Sequence, residues 1–485
     1  MKLRALTEGM AAELARGDTD VEIRGLAFRS DLVSEGTLFF CVAGFTVDGH
    51  DFAADAVEHG AAALIVARPL DLDVPQVLVA DVRGAMAIIA DRFWGHPTAE
   101  LDVVGITGTN GKTTTAFLTR AICEAAGRQT GLLGTVRQVV GGETESVKRT
   151  TPEAIDLQAT FRRMADGGDR CAVMEVSSHA LVLKRADGID FEVAAFTNLT
   201  QDHLDFHTDM DDYFAAKRRL FELDPAHRVV NIDDPYGRRL AEQFACTTLS
   251  AGGADADWRA EDVTFNADGS RFRAIGPGGH ADVRIALPGP FNVANALTAL
   301  AIADALGIGL TEAAASLAGA EWVPGRLEPV REGQPFSVLV DYAHTPDSLD
   351  NVLRAARALT ERRLVCVFGC GGDRDRAKRP EMGRAAATLA DVAIVTSDNP
   401  RGEEPEAIIN DILSGMSGSN PLVEPDREAA IAAGLRQAQP GDVVLIAGKG
   451  HEQGQEFAAG RTVPFDDREV ARAHLRDQHE EMAVR

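Results

Sequence analysis

Residues 103–115 read Val-Val-Gly-Ile-Thr-Gly-Thr-Asn-Gly-Lys-Thr-Thr-Thr, an apolar run that breaks into glycines and then into a lysine and threonines. The pattern predicts a strand, a phosphate loop and a helix start. Gly108 and Gly111 let backbone N–H groups curl around anionic oxygens, Lys112 adds a point charge, and the Thr113 hydroxyl is a ligand for the Mg²⁺ of a nucleotide. Residues Gly108, Thr109, Asn110, Gly111, Lys112, Thr113 and Thr114 are thus candidate nucleotide contacts. The helix, expected over 114–126, aims its positive dipole end at the same phosphates. The glycine spacing is tighter than the Gly-x-x-x-x-Gly-Lys form. A glycine-rich turn closing a strand is the competing reading.

The chain has 485 residues, enough for about three domains of roughly 150 residues each. A formal charge of −25 argues against broad binding to nucleic acid, so anions must be held in local pockets. The six cysteines are scattered, and the closest pair, Cys366 and Cys370, lacks redox or zinc spacing. Buried free thiols are expected, which suits a reducing cytosol. Residues 1–20 carry no apolar signal region and no run reaches a membrane-spanning length. A soluble, cytoplasmic protein with no membrane insertion is expected.

Short strands and turns over 21–67, a helix over 51–60 and another over 82–94 predict a small N-terminal α/β unit that ends at the linker 95–98. The loops Arg29-Ser30-Asp31 and 44–50 are either solvated or offered to a ligand. Thr150 and Thr151 precede Pro152 and a helix expected to reach Ala165. Thr151 is the expected N-cap and Pro152 the first helical residue. The strand from Cys171 delivers Glu175, Ser177, Ser178 and His179 to its C-terminal end, where open parallel sheets bind ligands. A carboxylate there can hold Mg²⁺.

The next strand, expected over 191–199, empties into a loop with Asp202, His203, Asp205 and His207, a ligand or orienting cluster. Lys217 lies in a helix expected over 210–223 and shares a face with Tyr213, Phe214, Leu220 and Phe221. It either snorkels to water or is partly buried. Antiparallel strands are expected over 258–273 and 281–287. Pro288 to Pro290 then stop the chain before an alanine-rich helix, which Asn292 can cap while facing a nucleotide. Beyond the hinge 322–328, four strand ends lead to Asp341, Arg374, Arg401, and Lys449 with Glu452. Alternating strands and helices predict a parallel α/β domain, and its basic and acidic strand-end residues suit a zwitterionic substrate. The expected fold class is α/β in three domains. A central, mostly parallel P-loop-type sheet (99–325) is flanked by a small N-terminal α/β domain (1–98) and a Rossmann-like C-terminal domain (326–485).

Six motifs occur in the order found in the Mur ligases, ATP-dependent amide-forming enzymes of cell-wall peptidoglycan assembly, and the chain resembles that family over nearly its whole length. They are Gly-Thr-Asn-Gly-Lys-Thr at 108–113, Met-Glu-Val-Ser-Ser-His at 174–179, Asn-Leu-Thr-Gln-Asp-His-Leu-Asp at 198–205, Ala-Lys at 216–217, Gly-Arg-Leu-Glu at 325–328 and Asp-Tyr-Ala-His-Thr-Pro at 341–346. The resemblance implies a catalytic set of Lys112, Glu175, His203 and Lys217, with Lys217 carbamylated. It also implies a Mg²⁺ site at Thr113, Glu175 and His203, and further ATP contacts at Asn292, Arg326 and Asp341. The stretch Asp398-Asn399-Pro400-Arg401 implies that meso-diaminopimelate is added to UDP-N-acetylmuramoyl-L-alanyl-D-glutamate. Arg374, Gly448 and Glu452 would complete the amino-acid pocket, with Glu452 binding the substrate's ammonium group. Ser30, Thr46, Val47, Asp48, Thr150, Thr151, Ser177 and Arg185 would meet the nucleotide sugar. Relatives usually read Asp-Ser-Arg where this chain has Arg29-Ser30-Asp31, and Leu183 replaces a polar residue, so it is left out of the site. One chain holding every catalytic part implies a monomer. Folylpolyglutamate synthetase and a nucleotide-gated binding protein without ligase activity are the alternatives.

Overall fold

Apolar strands ending in glycine or polar turns bring most candidate site residues to strand ends, while Lys217 and Asn292 lie in helices. The computed structural model describes residues 1–44, 46–147, 149–266 and 268–484, without the side chains of 479–484. Two compact units alternate along the sequence. One comprises Met1–Thr107, Gly127–Ala194 and Ala216–His227, the other Gly108–Ala126, Ala195–Ala215 and Arg228–Arg485.

In the first unit, a five-stranded sheet runs in the order Ala12–Arg16, Gln76–Val79, Ala61–Val66, Thr37–Phe40, Gly25–Ala27, parallel except for its first strand. Its core gathers Leu38, Phe40, Ala63, Ile65 and Val77 with the helix Val82–Phe93. A second group of strands places Asp102–Thr107 beside Cys171–Glu175 and then Thr130–Leu133, all parallel, before two antiparallel strands at 138–140 and 143–145. Both faces of such strands are covered, which is why Val103 to Thr107 and Cys171 to Glu175 are wholly buried.

In the second unit, parallel pairing joins His227–Asn231, Thr247–Ser250 and Trp258–Asn266, and a meander continues through Gly269–Gly276 and Gly279–Ile285. Two strands, Trp258–Asn266 and Gly269–Gly276, thus share the span expected as one and pair antiparallel, with Asn266 opposite Gly269. A six-stranded sheet follows in the order Glu328–Pro329, Ser337–Asp341, Val443–Ala447, Leu364–Phe368, Val392–Val395, Leu422–Val423, with only the first strand antiparallel. Its two faces pack against helices through Leu349, Leu353, Met382 and Ile412 on one side and Ile431, Leu435, Ala471 and Leu475 on the other.

Two expected caps are corrected. The helix after Pro152 runs from Ala154 to Asp166 with Glu153 at its N-cap, so neither Thr151 nor Pro152 belongs to it. The Thr151 hydroxyl instead donates to the Glu175 carbonyl at 2.9 Å. The alanine-rich helix spans Pro290–Ala305 with Gly289 at its cap, and Asn292 lies inside it, donating back to the Pro288 carbonyl at 2.9 Å. All six cysteines are free, five of them buried and Cys246 half-buried. Among the described residues no helix is long and apolar enough to cross a membrane.

Candidate active site

In the second unit the phosphate loop is tightly braced. Gly111 caps the helix Lys112–Ala125 in the left-handed region (φ 86°), and a Cβ there would overlap the Asn295 carboxamide. The helix thus begins two residues earlier than expected. Lys112 Nζ curls back to donate to the carbonyls of Gly108 and Thr109, both at 2.8 Å. Asn198 accepts from the Asn110 N–H at 2.9 Å and donates to its carbonyl at 3.2 Å, and Asp347 accepts from the Asn110 side chain at 2.9 Å. Arg326 donates to the Thr113 hydroxyl at 3.1 Å.

Asp341, at the end of Ser337–Asp341, accepts from the backbone of Leu327 at 2.7 Å and of Ala343 at 2.8 Å. Burial raises its carboxyl to about 6, against the pull of the Arg326 charge. Asp202 behaves in the opposite way. Burial pushes its carboxyl up, but attraction to His203, His344 and Lys378, with a bond from the His203 N–H, holds it at about 2. His203 Nε2 lies 3.4 Å from Asp202, while His207 stacks on Tyr213 at 4.8 Å between ring centres. Burial, then repulsion from Lys378, lowers the His344 pKa, against the attraction of Asp202.

The amino-acid residues gather in the same unit at the ends of Val392–Val395 and Val443–Ala447. Asn399 donates to Glu452 at 2.9 Å, and Lys449 donates to Glu452 at 2.9 Å and to the Asn399 side-chain Oδ1 at 2.8 Å. Glu452, expected to receive the substrate's ammonium, is already bound to an ammonium of its own chain. Arg401, at φ 50°, donates to Glu456 at 2.7 Å and to the Gly372 carbonyl at 3.0 Å. Asp398 is buried, and its Oδ2 has no hydrogen-bond partner among the described residues; Pro400, two residues on, is buried too. A Cβ on Gly448 would run into that oxygen. Arg374 is exposed and donates to the Asp373 carbonyl at 2.9 Å.

In the first unit, strand register sets Glu175 opposite Ile106, so the carboxylate emerges one residue short of the strand end at Thr107. It is 1 % exposed and accepts from the Thr135 backbone at 2.8 Å and the Thr135 hydroxyl at 3.2 Å. Thr135 reaches Thr150 at 3.1 Å, and Thr151 accepts from the Ser177 N–H at 3.2 Å. Ser177 in turn caps the helix Ser178–Val182. Arg185 donates to the Thr151 carbonyl at 3.2 Å and pairs with Glu153 at 2.6 Å. Arg83 and Arg149 approach the same carboxylate, both at 3.2 Å. Burial lowers the Arg185 pKa and repulsion from Arg149 and Arg83 adds to the shift, so this wall carries surplus positive charge.

Ser30 and Asp48 follow adjacent parallel strands and so share one edge of the N-terminal sheet. Arg29 and Asp31 pair with each other at 2.5 Å, which uses both exchanged charges locally. The His50 N–H, followed by Arg68, holds the Asp48 carboxyl well below its usual range. Thr46 and Val47 are exposed, and Phe45 lies outside the described residues. Lys217 is only 1 % exposed in the helix Met210–Glu222, which rules out snorkelling.

Glu175 in the first unit and Thr113 in the second each carry oxygen of the hard kind that Mg²⁺ takes. That ion keeps several waters and leans on phosphate oxygens, so it needs few protein ligands. Among the described residues no group of three or more His, Cys, Asp or Glu side chains forms a ready-made metal cluster.

The Mur ligase family, catalytic domain, matches residues 22–94; the Mur ligase middle domain matches 106–303; the Mur ligase, glutamate ligase domain, matches 325–450. A UDP-N-acetylmuramoyl-L-alanyl-D-glutamate--2,6-diaminopimelate ligase of Geobacillus kaustophilus is 48 % identical, over 99 % of this chain and 100 % of its own. The chain belongs to the Mur ligase family. The Streptomyces coelicolor protein of the same name is 47 % identical over 96 % of this chain and 94 % of its own. A solved structure of an enzyme with that name is 32 % identical with a TM-score of 0.72, covering 99 % of both chains. The ADP complex of MurF from Thermotoga maritima covers 96 % of this chain and 99 % of its own at 20 % identity and a TM-score of 0.64, a likeness of fold. Folylpolyglutamate synthase from Mycobacterium tuberculosis covers 75 % of this chain and 92 % of its own at 19 % identity and a TM-score of 0.62, again a likeness of fold.

Several residues that touch or act on the candidate residues escape a reading by motif. Asp347 holds Asn110, Glu153 gathers three arginines, and Lys378 is 4 % exposed with its charge acting on Asp202 and His344. Asp347 stood within reach of sequence, immediately after His-Thr-Pro at a helix start. Lys378 did not, because nothing in the run 374–379, with its three arginines, marks that one cation for burial.

Proposed function

We propose that this Mur ligase joins meso-diaminopimelate to the D-glutamate γ-carboxylate of UDP-N-acetylmuramoyl-L-alanyl-D-glutamate, with ATP cleaved to ADP and phosphate. The single observation that carries the substrate assignment is 48 % identity over 99 % of the chain with a relative of that name. ATP first phosphorylates the carboxylate, and the diaminopimelate amine then attacks the acyl phosphate, expelling phosphate as the amide forms.

The division of labour follows from the charges. Lys112 and the loop N–H groups bind the nucleotide phosphates, Arg326 and Asp341 hold the rest of ATP together with Asn292, and Gly108 to Thr114 supply the frame. Thr113, Glu175 and His203 would hold Mg²⁺, which when bound neutralises charge on the transferring phosphoryl group. A buried ammonium at Lys217 would oppose that ion; a carbamate on the same nitrogen would support it. Thr150, Thr151, Ser177 and Arg185 orient the acceptor peptide, and Ser30 with Thr46, Val47 and Asp48 receives its uridine diphosphate end. Arg374 and Arg401 bind carboxylates of diaminopimelate as forks, with Asp398, Asn399, Pro400, Gly448 and Glu452 shaping the pocket. The three family matches support functional domains at 1–98, 99–325 and 326–485.

The test is product identity. Incubation with ATP, Mg²⁺, the UDP-muramoyl dipeptide and diaminopimelate is expected to yield the UDP-muramoyl tripeptide by mass spectrometry. A dipeptide left unchanged while ATP is consumed would sink the reading.

A further inference from the structure

Arg427 and Asp467 form an ion pair with no exposed side-chain surface. Both open helices, Arg427–Gln437 and Asp467–Val484. The guanidinium meets the carboxylate as a fork, Nε to Oδ1 at 2.7 Å and Nη2 to Oδ2 at 2.6 Å. Its remaining donors reach two backbone carbonyls, Nη1 to Ser397 at 3.2 Å and Nη2 to Ala447 at 3.1 Å.

Those carbonyls immediately precede Asp398 and Gly448. Ser397 lies two residues past Val392–Val395 and Ala447 closes Val443–Ala447, two strands that do not pair with each other because Leu364–Phe368 lies between them. No ladder hydrogen bond therefore sets the spacing of the two loops, and the guanidinium spans them directly. The positive charge also acts on Asp398 and Glu452, and Nη2 lies 3.6 Å from where a Gly448 Cβ would stand. A buried pair is a weak source of stability compared with apolar side chains of similar size, so its presence calls for another role.

We propose that Arg427, oriented by Asp467, is a positioning residue that sets the distance between the Asp398–Arg401 and Gly448–Glu452 loops. It thereby tunes affinity for the amino-acid substrate. The inference rests on the ligase reading above, with diaminopimelate as the probe.

Two variants test it. Arg427→Lys keeps the charge but cannot hold a carboxylate and two carbonyls as a fork. Arg427→Met with Asp467→Leu replaces the pair by an apolar contact that a folded core accepts. Both are expected to raise KM for diaminopimelate about tenfold or more, the worth of a lost charged hydrogen bond. KM for ATP should stay within about twofold, as for a site without shared partners. A folded variant with unchanged KM for diaminopimelate overturns the proposal, as does a parallel rise in both constants. Failure of both variants to fold also overturns it, since the pair then serves the fold as a whole. A wild-type enzyme indifferent to diaminopimelate overturns this inference together with the substrate assignment; a responsive wild type with unaltered variants overturns this inference alone.

Discussion

Arg326 donates to the Thr113 hydroxyl across 3.1 Å while its guanidinium lies over the Tyr342 ring, 4.7 Å from the centroid. Residues 213 positions apart in sequence thus meet at the phosphate loop. Replacing Arg326 by Ala removes a charged hydrogen bond and a cation–π contact, and kcat/KM for ATP is expected to fall about tenfold to a hundredfold. Steady-state kinetics with ATP varied checks this; an unchanged value would remove Arg326 from the nucleotide site.

Asp341 makes a pH prediction. Burial raises its carboxyl from 3.8 to about 6, so the folded state binds this proton more tightly than the unfolded chain. Its contribution to stability is greatest below the unfolded value and is lost as pH rises through about 6. Urea unfolding of the wild type and of Asp341→Asn should show the wild type losing ground to the variant over that window. Equal pH profiles would contradict the shift.

Lys217 is expected to carry a carbamate. With ¹³C-labelled bicarbonate, a carbamate carbon signal should appear in the wild type and be absent from Lys217→Ala. The variant should lose about a hundredfold or more in kcat, the scale of a missing electrostatic group at a phosphoryl-transfer site. A fully active variant would sink the assignment.

Arg401 bonds to Glu456 and the Gly372 carbonyl, which holds its guanidinium in place. Arg401→Ala should lower the preference for diaminopimelate over L-lysine by about tenfold to a hundredfold, the worth of one charged pair. Competition between the two amino acids reads this directly, and an unchanged preference would clear Arg401 of that role.

The strands and most helices were legible because each apolar run ends in glycine or a polar turn, as at Thr107 and Gly369. The misread caps share one physical cause. Thr151 and Asn292 carry side chains that suit helix starts, but one donates to the Glu175 carbonyl and the other to Pro288. Local propensity gave way to partners fixed by strand pairing and by the turn at 288–290. Lys217 shows the converse: its apolar neighbours in helical spacing were visible in sequence, yet only the folded helix shows the nitrogen sealed from water. The family resemblance pointed to Arg374, Asp398 to Arg401, and Glu452. It could not show that Lys449 already occupies the Glu452 carboxylate, nor that Arg427 lies beneath both loops.

The most direct test of the central claim is phosphate release from ATP measured with each substrate omitted in turn, with diaminopimelate and L-lysine run side by side. Release is expected to require both the UDP-muramoyl dipeptide and diaminopimelate, with lysine a poor substitute. Release that proceeds unchanged without either substrate would contradict the ligase account.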